Sequence, residues 1–113
     1  MINKENLESY YTLKDGKYRR LTRQFESELP QFNSHVEAAE WFSDLFNNSF
    51  MLGSAFPVGE QKCWDYCLIH NRKDWESGIE QLITQGHVTD NREYLWSYQN
   101  IQIFDDGNVH IVF

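Results

Sequence analysis

Strict alternation on both sides of a four-residue turn limits this chain more than any other feature. Gln99-Asn100-Ile101-Gln102-Ile103-Phe104 and Val109-His110-Ile111-Val112-Phe113 flank Asp105-Asp106-Gly107-Asn108. Successive side chains of a strand point to opposite faces, so two period-two runs around a Gly-containing turn specify an antiparallel hairpin. Its expected buried stripe is Ile101, Ile103, Val109, Ile111 and Phe113. An isolated hairpin is marginal in water, so it requires further strands and a helix to cover that stripe.

The chain supplies both. Residues 50–56 and 62–70 read as two more strands joined through Pro57-Val58-Gly59-Glu60. The second alternates Trp64, Tyr66 and Leu68 onto one face and Cys63, Asp65, Cys67 and Ile69 onto the other. Before them, Ser34-His35-Val36-Glu37 has the spacing of a capping box. At about 100° per residue, Ala38, Trp41, Phe42, Leu45 and Phe46 share one helix face, and Glu37, Glu40 and Asp44 converge opposite. A second helix follows Asn71 or Asp74, with Trp75, Ile79, Leu82 and Ile83 at i, i+4, i+7 and i+8 and Gly86 as its left-handed stop. Residues 90–96 suggest one more helical turn.

At the N-terminus two readings compete. Residues 3–13 suit a short helix, whereas Asp15-Gly16 suits a type I′ turn with Leu13 and residues 18–21 as arms. Pro30 ends whatever precedes it. The expectation is a single α+β domain over residues 1–113. A four-stranded antiparallel sheet carries two main helices on one face, in the order helix–strand–strand–helix–strand–strand, after an N-terminal helix or hairpin.

Charge divides the chain. The first 24 residues hold six bases against three acids, and the remaining 89 hold four against fourteen, within an overall −7. Residues 1–30 thus form a basic segment and 34–113 an acidic body. Such a body repels nucleic acid, which needs Lys and Arg to displace phosphate counterions, and favours a basic protein partner. Lys14, Lys17, Arg19, Arg20 and Arg23 form the only basic cluster, expected to be a solvated hairpin. No apolar run approaches a membrane span, and two cysteines make no disulfide framework, so a reduced, cytoplasmic protein without membrane contact is expected.

Catalytic and metal chemistry find little support. Cys63 and Cys67 on one strand would lie about 13 Å apart, too far for one zinc tetrahedron, and no closing ligand pair accompanies His70. Cys67 with His70 or His110 lacks a nucleophile signature, and the six glycines form no phosphate-cradling pattern. No cofactor and no enzymatic activity are expected, a small Cys/His enzyme being the last-ranked alternative.

Eighteen aromatic residues, by contrast, exceed what one small core usually needs. Small size, acidity and ring content are shared with bacterial toxin-immunity proteins and phage-encoded inhibitors, a likeness of composition alone. The expectation is a non-enzymatic binding protein occluding a basic surface of a toxin or nucleic-acid-handling enzyme. Its expected contact residues are Glu26, Glu28, Glu37, Glu40 and Asp44, with Tyr98, Phe104 and His110 on the sheet face left by the helices. Residues 1–30 or a partner would cover that face. The alternative is a self-associating accessory protein, a homodimer joined through the last strand or the open face.

Overall fold

The structure, a computed structural model, describes residues 1–89 and 91–113. It is α+β, with strands β1 (Tyr11–Lys14), β2 (Tyr18–Leu21), β3 (Phe50–Val58), β4 (Gln61–Ile69), β5 (Tyr98–Phe104) and β6 (Val109–Ile111). The helices are α1 (Arg23–Ser27), α2 (His35–Phe46), α3 (Arg72–Gln85) and α4 (Asn91–Leu95). Strands β3-β4-β5-β6 form one antiparallel sheet in sequence order, and β1-β2 form a separate hairpin.

Turn chemistry explains both early hairpins. Asp15 and Gly16 take φ of 54° and 73°, the double positive φ of a type I′ turn, so the hairpin prevails over a helix through residue 13. Only a 3-10 turn at Leu7–Tyr10 remains of that helix, because Asn3 and Asn6 side chains capture the amides around them. Between β3 and β4 the loop shortens to Gly59-Glu60, with Gly59 at φ 61°, and both strands extend toward it.

Three of the five residues of the predicted stripe form the centre of the core, whereas Val109 is half-buried and Phe113, beyond the end of β6, is exposed. Ile101, Ile103 and Ile111 have no solvent exposure, and register sets Tyr66 beside Ile101 and Trp64 beside Ile103. Helix α2 lies on this face. Ser34 Oγ accepts its Glu37 amide at 3.1 Å, half of the expected capping box, since the Glu37 carboxylate turns toward Asn33 instead. Rings then stack outward from the helix: Phe42 on Phe50 at 5.3 Å, and Phe50 on Tyr66 at 4.2 Å. His35 stacks flat on Trp64 at 3.7 Å and bonds the Tyr66 hydroxyl through Nε2.

Helix α1 has no counterpart in the sequence reading. Its Phe25 is fully buried and touches Tyr10, Trp41, Phe42 and Phe46, so residues 1–30 complete the α2 side of the core. Much of the aromatic surplus is thereby explained: the rings pack against one another inside, where such pairs contribute about 0.5–1.5 kcal/mol each beyond area burial.

The sequence suggested that the two long helices share one face, but they do not lie side by side. Trp75 of α3 reaches Cys67, on the opposite face from Tyr66 and Leu68. Asn71 Oδ1 caps α3 at the Asp74 amide and Gly86 ends it at φ 79°, both as expected. Its line of contact, however, runs through Gly78, where a Cβ would overlap the Tyr94 ring of α4. Ile83 therefore stays 80% exposed, although its spacing suggested burial.

Candidate functional site

Strand β3 forms one margin of the sheet, and among the described residues no strand pairs with its outer side. It carries no charge along nine residues, and after Phe50 every residue is exposed. Met51, Leu52, Phe56 and Val58 project from it into solvent, with Leu52 the most accessible at 55%. Pro57 is tolerated because an outer strand leaves alternate N–H positions unused, and a bulge between Leu52 and Ser54 bends the strand. Gly53 fits that bulge closely, since a Cβ there would meet the Asp65 carbonyl at 3.2 Å.

The second face of the sheet adjoins this margin. Register aligns Phe56, Cys63 and Phe104 across three strands, and between the two rings Cys63 is only 1% exposed. The next row holds Ser54, Asp65, Gln102 and His110, followed by Met51, Cys67 and Asn100. Asn100 donates to Asp65 at 3.2 Å, while His110 and Val112 are exposed. Phe104 and Tyr98 are half-buried; the Tyr98 ring meets Tyr94, and Ile69 beside it is buried. This face is therefore covered at its Ile69–Tyr98 end and open toward Phe104.

The acidic candidates separate into two groups. Glu37, Glu40 and Asp44 are exposed on α2, and among the described residues none forms a salt bridge. Glu26 and Glu28 are engaged within the fold. Glu26 Oε2 accepts the Ile111 amide at 2.7 Å, and Glu28 accepts from the Tyr10 hydroxyl at 2.7 Å and from Gln24. Those bonds hold the Glu28 carboxyl below its ordinary range.

The basic cluster is docked rather than free in solvent. Arg19 makes a two-pronged pair with Glu8 and lies 3.9 Å over Tyr11. Lys17 meets Glu93 at 3.0 Å, Arg20 Nη1 donates to the Tyr98 carbonyl at 2.6 Å, and Arg23 lies over Phe113. Sequence reasoning missed this because every one of the rings and acceptors on the body lies about 70 residues or more away along the chain.

Burial shifts the titration of both cysteines and of His70. Burial pushes the Cys67 thiol up to about 11, where a nucleophile needs a lowered value, and it raises Cys63 as well. Burial also drives His70 down to about 4, so its ring is neutral and bonds Gln99 Oε1 at 2.7 Å. Among the described residues no three His, Cys, Asp or Glu side chains group as a metal ion requires, and no helix is long and apolar enough to cross a membrane. No family model matches the chain, and no curated protein or solved structure matches it either.

Proposed function

We propose that this chain is a small non-enzymatic binding protein, of inhibitor or immunity type, that docks on a protein partner bearing a basic surface. The uncharged, exposed β3 margin carries this reading: nine residues of strand with an unpaired backbone edge, flanked by exposed Met51, Leu52, Phe56 and Val58, are a surface for a partner's strand or loop. The exposed carboxylates of Glu37, Glu40 and Asp44, none of them in a salt bridge among the described residues, supply the sign. Because the basic hairpin is docked on the body, these charges stay available to steer a cationic partner.

Two sets of variants in an affinity capture test it. L52K/V58K removes the apolar margin, and E37K/E40K/D44K reverses the steering charge. A partner retained by the wild type at low salt, and released by either variant or by high salt, is the expected result. Retention by L52K/V58K would reject the β3 surface, and indifference to charge reversal would reject the basic partner.

Pairing of β3 with β3 of a second copy is the alternative reading, since an antiparallel pair of identical strands closes about a two-fold axis. The −7 on each copy opposes it. Sedimentation that shows a clean monomer at high concentration excludes it.

A further inference from the structure

Where the basic hairpin meets the body, the structure leaves an open cavity of about 450 Å³. Leu13, Lys14 and Arg20 come to it from the hairpin, Arg23 from the start of α1, and Trp96 and Phe113 from the body. The volume lies in the range of small-ligand sites, about 300–1,000 Å³, and the mix of apolar walls with a few convergent polar groups is characteristic of them.

Charge makes this cavity unlike the rest of the surface. The chain has seventeen acids against ten bases, yet among the described residues no Asp or Glu lines it. Three cations do, and among the described residues none of them has a carboxylate partner. Their contacts are to ring faces and one carbonyl: Lys14 and Arg20 lie 5.3 and 4.8 Å from the Trp96 ring centre, Arg23 lies 4.6 Å from that of Phe113, and Arg20 also holds the Tyr98 carbonyl. A ring face stabilises a cation by about 0.5–2 kcal/mol, less than a desolvated carboxylate provides. Arg20 is partly withdrawn from water, and that burial lowers its pKa from the ordinary range. In the same wall, the Thr22 hydroxyl is buried with no hydrogen-bond partner among the described residues.

We infer that this cavity binds a small amphipathic anion, an apolar or aromatic body carrying a carboxylate. The apolar part fits between Leu13, Trp96 and Phe113, and the carboxylate meets Lys14, Arg20 and Arg23. The cations already lie over the ring faces, so an aryl body packed against Leu13 and the ring edges brings its anion to them without moving the backbone. Such a ligand touches hairpin and body together, and binding the folded state alone raises stability by mass action.

The probe is 2-naphthoate, titrated calorimetrically into the full chain. Its neutral counterpart 2-naphthalenemethanol and inorganic phosphate serve as separate arms. One saturable site is expected for naphthoate, with a melting temperature that rises with its concentration. Binding of the alcohol should be at least about tenfold weaker, and phosphate alone should not saturate the site. The K14Q/R23Q variant removes two cations whose contacts are ring faces only, and it should lose at least about tenfold in affinity with an unchanged circular dichroism spectrum. R20Q should lose as much or more; should it fail to fold, K14Q/R23Q decides by itself. Absence of naphthoate binding, equal binding of the alcohol, saturable phosphate binding, or unaltered affinity in K14Q/R23Q would each overturn the assignment.

Discussion

The two margins of the main sheet are made very differently. Strand β6 has three residues, and the outward amide of Ile111 is taken by the Glu26 carboxylate. The turn that leads into it is pinned by close contact between Gly107 and the backbone of Phe32. At the adjoining end of the sheet, Gln99 Oε1 accepts the amide of Leu21 at 2.7 Å and also bonds His70, so the hairpin is locked to β5. Strand β3 has nine residues and none of this, only a bulge and Pro57 to discourage pairing. An outer strand is a template for another chain unless something blocks it. Here the basic N-terminal segment blocks one side of the molecule and leaves the other presentable.

The largest effect that tests this difference belongs to Gly107. It sits at φ 88°, and a Cβ there would lie 2.6 Å from the Phe32 carbonyl carbon and 2.9 Å from the Ser34 amide nitrogen. Gly107→Ala combines left-handed strain with a backbone clash, and chemical denaturation should show a loss of about 3 kcal/mol.

The next effect depends on pH. His70 titrates near 6.5 when unfolded and near 4 in the fold, so between those values the unfolded chain binds the extra proton. The stability that this difference represents is complete above pH 6.5 and lost as pH falls toward 4, amounting to about 3 kcal/mol. Urea midpoints measured from pH 7 to pH 4.5 should fall in the wild type and change much less in H70Q. Parallel curves would show that the ring is not held neutral.

Third comes Glu26→Ala, which leaves the Ile111 amide without its acceptor. It should cost about 2 kcal/mol, with Glu26→Gln well below that because an acceptor oxygen remains. Equal losses in the two variants would assign the effect to packing instead.

The smallest effect is expected at β3. L52K/V58K should shift stability by about 0.5 kcal/mol or less while changing association, since these side chains contact little within the chain. A large loss of stability there would mean that β3 is a structural margin like β6.

Local features of this fold were legible from residue order. The type I′ turn at Asp15-Gly16, the Ser34 and Asn71 caps, the Gly86 stop and the alternation of β4, β5 and β6 all follow from short-range sterics and hydrogen bonding. Helix α1 was missed because five residues hold too little periodicity to register, although its Phe25 became the hub of the aromatic core. Ile83 obeyed the helical period and still stayed exposed, because period shows which residues share a face and not whether another element covers it. Of the expected contact residues, Glu37, Glu40, Asp44 and His110 are exposed, Tyr98 and Phe104 are half-buried, and Glu26 and Glu28 are engaged in the fold.

Residue order therefore determined the class, the succession of elements and the uneven charge, since each depends on neighbours within a few positions. Tertiary structure alone decided which charges remain free and which margin is blocked. Glu26 and Ile111 are 85 residues apart, and Leu21 and Gln99 are 78 apart. No local pattern encodes such pairs: they form only when the packed core brings the two ends of the chain together and makes an unpaired buried amide costly.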